Sequence, residues 1–239
     1  MHHEGGSVSI GAACTHTAIA ACPELEDVTC LVRAAAGIGS PQVRNAGTVG
    51  GNIANASPAG DTYPALMVLG AEAALRGPGG TRTVKIEDIP TGPGATRIRR
   101  DELLTRIAFE RPPAGCYSGF IKIGLRNALA ISVASAAILV TARDGKLDHV
   151  RIACGAVAPR PIRITGVEKM LAGEEPTPEL IAEAGQAACR SCDPVSDIRA
   201  DKQYRRHVLG VIVTRLVEDA CGHLTGYRKR DDCDRPTGN

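Results

Sequence analysis

Aromatic side chains are scarce: the 239-residue chain has no Trp, two Phe and four Tyr. So few rings leave little material for stacking bases. The 28 Lys and Arg nearly cancel the 26 Asp and Glu, and a net charge of +2 gives little attraction for a polyanion. Nucleic-acid binding is not expected. No apolar run approaches the roughly 18 residues that a membrane-spanning helix needs, and no basic-then-apolar leader opens the chain, so a soluble, cytoplasmic protein with no membrane contact is expected. Nine Cys is an odd number, without the density of a secreted scaffold, and reads as reduced thiols. The six His show no H-x-x-x-H or H-x-H spacing, and Cys189-Arg190-Ser191-Cys192 has no second pair at zinc spacing, so no metal site is expected. A nucleophile motif of the G-x-S-x-G type is also missing, and no catalytic residue is assigned. Glycine is plentiful, with 27 residues beside 15 Pro.

The length suits one large domain or two small ones. Ser7-Val8-Ser9-Ile10 alternates like a strand, and Thr15 is placed to cap a short helix that Pro23 stops. Leu25, Val28, Leu31, Val32 and Ala35 recur at helical spacing, and Gly37 is expected to end that helix in a left-handed conformation. Residues 45–60 carry four glycines and three Asn with almost no large apolar group, so a loop is expected. Asp61 is then expected to cap a helix over 63–69. Two strands around Gly77-Pro78-Gly79-Gly80 read as a hairpin, and a further strand covers 102–110.

Arg111-Pro112-Pro113-Ala114-Gly115 blocks both helix and ladder and is the best boundary in the chain. Strands are expected near 117–123, 131–142 and 147–157, the last two joined through Asp144-Gly145. Three helices follow: one opened by a capping box of Thr165 and Glu168, one with Pro178 in its first turn, and one striped by Tyr204, Val208, Val211, Ile212 and Leu216. Strands followed by helices indicate an α+β fold, with helices on one face of an antiparallel sheet. The segment 222–239 lacks periodicity and is expected to be disordered.

Paired glycines let backbone N–H groups approach an anion closely, and Thr48-Val49-Gly50-Gly51-Asn52 has that character. For an isolated Gly-Gly-Asn, a tight turn with Asp61 as a helix cap is the better explanation. The string matches neither the G-x-G-x-x-G fingerprint nor the Walker pattern. Taken whole, residues 38–61, from Ile38-Gly39-Ser40-Pro41 through Thr48-Val49-Gly50-Gly51-Asn52 to Pro58-Ala59-Gly60-Asp61, closely resemble the flavin-binding segment of the FAD-binding medium subunit of the molybdenum hydroxylases, the xanthine dehydrogenase family. The resemblance continues in Ile10-Gly11-Ala12, Thr15-His16, Asp101-Glu102-Leu103-Leu104, Phe120-Ile121-Lys122, Arg126, Ser196-Asp197-Ile198-Arg199-Ala200 and Tyr204-Arg205.

The resemblance implies a PCMH-type FAD-binding domain over 1–112, present only as its second subdomain, followed by a CO dehydrogenase flavoprotein C-terminal-like domain over 115–221. It implies that the N–H groups of Thr48, Val49, Gly50, Gly51 and Asn52 wrap the flavin and its phosphate-ribitol chain, that Asp61 hydrogen-bonds the cofactor, and that Ile38 and Leu104 give it apolar contacts. Lys122 would lie at the flavin's polar edge, where its charge would favour an anionic reduced flavin. It further implies a large molybdopterin-binding partner that oxidises the substrate, a small partner with 2Fe–2S clusters, and exit of electrons to NAD+ or another acceptor. No four-cysteine insertion occurs between Glu72 and Arg111, so no iron–sulfur cluster is expected in this chain itself. The resemblance also implies an Ala-Gly-Gly-Thr-like pyrophosphate loop that has no counterpart here, so a truncated product, a fragment, or a chain whose missing half a partner supplies is expected. Each charge-assisted phosphate bond lost is worth about 1.5–3 kcal/mol, enough together to weaken FAD binding by orders of magnitude. The alternative is a flavin-free assembly module, a truncated remnant of such a subunit.

Overall fold

The structure, a computed structural model, describes residues 2–4 (backbone only), 6–126 and 129–227. The chain opens with β1 (His2–Glu4) and β2 (Ser7–Gly11), followed by α1 (His16–Ala20), a single 3-10 turn, and α2 (Thr29–Ala36). Next come α3 (Pro41–Ala46), α4 (Val49–Asn55) and α5 (Thr62–Val68). Thr15 caps α1 as expected, accepting from the Ala18 N–H at 3.2 Å. The strands β3 (Glu72–Gly77), β4 (Gly80–Lys85), the small pair β5 (Pro90–Gly92) and β6 (Ala95–Thr96), and β7 (Leu103–Glu110) complete this half. Its sheet is antiparallel in the order β1-β2-β7-β3-β4, and the Gly77–Gly80 pair closes the expected hairpin around Pro78-Gly79.

Two expectations fail here. Residues 45–60 are not a loop, since α3 ends and all of α4 lies within them. Two glycines in a seven-residue helix disfavour it by about 1 kcal/mol each, so packing of the buried Val49 and Ile53 must drive its formation. Gly37 terminates α2 with an ordinary φ of −80°, and the left-handed residue is Gly39, at φ +45°.

Beyond Arg111-Pro112-Pro113 the chain forms a second antiparallel sheet from β8 (Tyr117–Ile123), β9 (Ala134–Arg143), β10 (Lys146–Gly155) and β11 (Ile162–Arg163), in the order β11-β10-β9-β8. Asp144 and Gly145 both have positive φ, +52° and +77°, as a type I′ hairpin turn requires. Helices α6 (Thr165–Leu171), α7 (Pro178–Arg190) and α8 (Lys202–Thr225) follow. Thr177 caps α7, but Thr165 is the first residue of α6 rather than its cap. Glu168 instead turns into the sheet, accepting from the Ile152 N–H at 2.9 Å and from Arg163. Along α8, Val208, Ile212 and Leu216 are buried as expected, while Tyr204 and Val211 are exposed. That helix also runs to Thr225, which corrects the expectation of disorder from Gly222; residues 228–239 lie outside the described residues.

The second sheet is covered on both faces, and β9 shows how. Ala134, Ala136, Ile138 and Val140 point into one core with α6, α7 and α8, while Ala137 and Leu139 point into the other with α2 and α5. This is the period of two along a strand, applied to two cores at once. The three C-terminal helices therefore do occupy one face, and helices from the N-terminal half occupy the other.

Candidate functional site

The N-terminus of α4 is built against the loop after β2. Thr48 accepts the Gly51 N–H on its hydroxyl at 3.0 Å, a side-chain cap. The Val49 N–H donates to the Cys14 carbonyl at 3.0 Å, the Gly50 N–H to the Ala12 carbonyl at 2.9 Å, and the Asn52 N–H to the Thr48 carbonyl at 2.9 Å. The N–H groups of Val49, Gly50, Gly51 and Asn52 thus all have partners within the chain, where a backbone cradle open to a phosphate-ribitol chain was expected. Gly50 serves close approach instead. A Cβ there would stand 2.6 Å from Ala12 Cβ and 2.7 Å from the Ala12 carbonyl oxygen. The Ala12 N–H continues the line, donating to the Thr105 carbonyl at 3.0 Å, and Thr105 adjoins Leu104, a buried residue of β7 paired with Leu75.

Asn52 links this segment to the next one. Its Oδ1 accepts from the Thr62 hydroxyl at 2.7 Å, which leaves its amide nitrogen without a partner among the described residues. Thr62 follows Asp61, whose side chain does not cap α5. The Asp61 carboxylate is 5% exposed and meets Lys122 Nζ at 2.7 Å through Oδ2 and the Ser132 hydroxyl at 2.5 Å through Oδ1. A buried carboxylate needs a cation and donors more than a helix end needs a cap. Burial pushes the Asp61 carboxyl up from its ordinary range, against the pull of the Lys122 ammonium and the Ser132 hydroxyl. Lys122 also donates to the carbonyls of Gly37 at 2.8 Å and Ala130 at 3.1 Å. Its three ammonium donors therefore have three acceptors within the chain. Ile38 follows Gly37 and is half-buried, and its carbonyl accepts from Arg44 Nη1 at 3.0 Å.

The structure thus gathers every singled-out residue into one connected region. Asp61 and Lys122 touch, Ile38 joins through Gly37, Asn52 joins through Thr62, and Leu104 joins Gly50 through Thr105 and Ala12. Ser132 and Thr62 were not singled out by sequence reasoning. Ser132 is 71 residues from Asp61 and carries no local signal, whereas Thr62 was readable as the polar neighbour of a predicted ligand.

Outward from this frame, several features fit a flat polar ligand such as a flavin. A Cβ on Gly11 would meet nothing within 4 Å, and one on Gly51 only the Thr48 hydroxyl, so the backbone is uncovered at both glycines. Asn52 offers its amide donor. His16 is 2% exposed and its Nδ1 is buried without a partner, beside Gly47, whose Cβ position lies 3.2 Å from the ring. Burial pushes the His16 imidazole down, toward the neutral form. Among the described residues no three His, Cys, Asp or Glu side chains are grouped to hold a metal ion.

The family described as the FAD binding domain in molybdopterin dehydrogenase matches residues 1–111, and the CO dehydrogenase flavoprotein C-terminal domain matches 120–220. The xanthine dehydrogenase FAD-binding subunit of Escherichia coli O157:H7 is 30% identical over 232 residues, covering 93% of this chain and 77% of that protein. The carbon monoxide dehydrogenase medium chain of Afipia carboxidovorans is 34% identical over 228 residues, covering 92% and 76%. Among solved structures, a carbon monoxide dehydrogenase from Hydrogenophaga pseudoflava superposes with a TM-score of 0.90 at 30% identity, over 93% of this chain and 78% of that one. Quinoline 2-oxidoreductase from Pseudomonas putida 86 gives 0.87 at 25% identity, over 94% and 78%. With both halves matched in order, the chain belongs to the FAD-binding medium subunits of the xanthine dehydrogenase and CO dehydrogenase family.

Proposed function

We propose that the chain is the electron-transfer subunit of a molybdenum-containing hydroxylase, holding FAD between the 2Fe–2S clusters of a small partner subunit and NAD+ or another acceptor. In this reading a large molybdopterin-binding partner oxidises the substrate, and the chain itself is soluble and cytoplasmic. Among the described residues no helix is long and apolar enough to cross a membrane. The working division is a PCMH-type FAD-binding domain over 1–112 and a CO dehydrogenase flavoprotein C-terminal-like domain over 115–221. FAD would supply the change between one- and two-electron chemistry. Gly51 and Thr48 would admit it along the N-terminus of α4, and Asn52 would donate from its amide nitrogen. Ile38 and Leu104 would supply apolar contact. Asp61 and Lys122 would act mainly by fixing the frame, since their polar atoms already have partners.

The observation that carries this reading is the connected region itself: residues 37–62, 104–105, 122 and 132 are linked by hydrogen bonds, inside a chain matched by flavoprotein families in both halves. The test is the visible spectrum of the purified chain before and after FAD is added. Stoichiometric uptake with perturbed flavin bands is expected, and Gly51→Val is expected to reduce it without lowering Tm by more than a few degrees. One observation favours the alternative of a flavin-free assembly module, namely that the N–H groups from Val49 to Asn52 are all engaged within the chain. A protein that remains colourless with excess FAD would establish that alternative over the first.

A further inference from the structure

Arg205 lies in the first turns of α8, on the far side of the second sheet from α4, yet it is 3% exposed and its hydrogen bonds lead back to the Asp61 carboxylate by two routes. Its Nη1 donates to the Val133 carbonyl at 2.6 Å and to the Ala156 carbonyl at 3.0 Å. Val133 adjoins Ser132, whose hydroxyl holds Asp61 Oδ1, and the Val133 N–H donates to the Ile123 carbonyl at 2.8 Å, next to Lys122. On the second route the Ala156 N–H donates to the Pro58 carbonyl at 2.7 Å, three residues before Asp61. Ala156 has φ +61°, a left-handed conformation that costs a non-glycine residue energy and persists only where its surroundings hold it. The guanidinium and Pro58 grip this one residue from its two ends.

The guanidinium is itself fixed from outside. Its Nη2 meets Asp197 Oδ1 at 2.7 Å, and the same oxygen accepts the N–H groups of Arg199 at 2.8 Å and Ala200 at 3.2 Å. Arg205 thereby joins the turn before α8, the start of β9 and the end of β10 at one buried point. A planar fork of fixed geometry suits this task, since its two terminal nitrogens serve three acceptors in set directions, which a lysine point charge does not reproduce.

We propose that Arg205 is a positioning residue for the cofactor region, setting the geometry of the Asp61–Lys122 pair through Val133–Ser132 on one side and Ala156–Pro58 on the other. This rests on the flavin reading only for its consequence at FAD; the effect on the pair is a property of the chain alone. Two readouts separate the two. The first is acylation of the Lys122 amine by an N-hydroxysuccinimide ester, followed by peptide mass spectrometry of the folded full-length chain without FAD. The second is the FAD dissociation constant and the midpoint potential of the bound flavin.

Arg205→Lys is expected to raise the Lys122 acylation rate about tenfold and to weaken FAD about tenfold with a shifted potential. Ile181→Ala, a cavity in the core between the second sheet and its helices, serves as the control for lost stability, and it is expected to leave Lys122 protected. Equal Lys122 reactivity in wild type and Arg205→Lys, or an equal rise in the Ile181→Ala control, would overturn the proposal whatever FAD does. If Lys122 is released in Arg205→Lys but wild type takes up no FAD, the positioning role stands and the flavin reading falls. If Arg205→Lys does not fold, Asp197→Asn loosens the guanidinium from the exposed side, and a folded Asp197→Asn with unchanged Lys122 protection overturns the proposal.

Discussion

A buried carboxylate held by one ammonium and one hydroxyl makes Asp61 the most exposed to loss of a neighbour. Lys122→Met would leave that charge buried without its cation, and a destabilisation of about 3–5 kcal/mol is expected in urea melts at pH 7. The pH dependence gives a second check. A carboxyl whose folded pKa is raised binds protons more tightly when folded, so its contribution is fully favourable below its unfolded value of 3.8 and is lost as pH rises through the folded value. Removing Lys122 removes a downward pull and moves that loss to higher pH. The variant is therefore expected to regain stability relative to wild type as pH falls from 7 toward 4; a constant gap over that range would argue against a buried, ionised Asp61. The two adjacent glycines should separate as sharply. Gly50→Ala is expected to cost about 1–3 kcal/mol by forcing Ala12 away, while Gly51→Ala, which meets only a hydroxyl at 3.0 Å, is expected to be near neutral in thermal melts. A valine scan across both positions would thus confuse folding with cofactor loss at Gly50 but not at Gly51.

Among the elements, α4 shows where sequence patterning stops informing. Its cap, Thr48, and its two buried side chains, Val49 and Ile53, went unread, because two glycines and two Asn in seven residues read as loop. Its helical form rests on contacts that no local pattern announces: Val49 and Ile53 pack inward, and the Val49 and Gly50 N–H groups bond to the loop after β2, more than thirty residues distant. Thr48→Val is accordingly expected to cost about 1 kcal/mol and to raise amide exchange at Gly51 first. Asp61 and Glu168 teach the same lesson from the other direction. Each stood at a plausible helix start, and each turned inward instead: Asp61 to Lys122 of β8 and to Ser132, Glu168 to Arg163 of β11 and the Ile152 N–H of β10. The hairpins at Pro78-Gly79 and Asp144-Gly145, the proline opening α7 and the longer strands were legible because their causes are local, whereas the short strands β1, β5, β6 and β11 were not read. The family string named residues that the fold links together, whereas the links through Ser132 and Ala12 carried no local signal.

At the scale of the whole molecule, the boundary at Arg111-Pro112-Pro113 separates two sheets but not two cores. Phe120, Ala137, Leu139 and Ala153 from the second sheet pack with residues of α2 and α5, so the halves are expected to unfold together. A single calorimetric transition, with equal calorimetric and van't Hoff enthalpies, is the expected result, and Leu139→Ala is expected to lower it by about 2–5 kcal/mol without splitting it. Two resolved transitions would show that the halves are energetically separate. The double allegiance of β9 also restricts how the gene can change length. One residue inserted within 134–140 would send Ala136, Ile138 and Val140 to the neighbour's side and Ala137 and Leu139 to theirs, spoiling two interiors with one codon. An insertion at Asp144-Gly145 only enlarges a turn. Length variation among sequences of this kind is therefore expected to collect at that hairpin tip and to spare the strand leading into it.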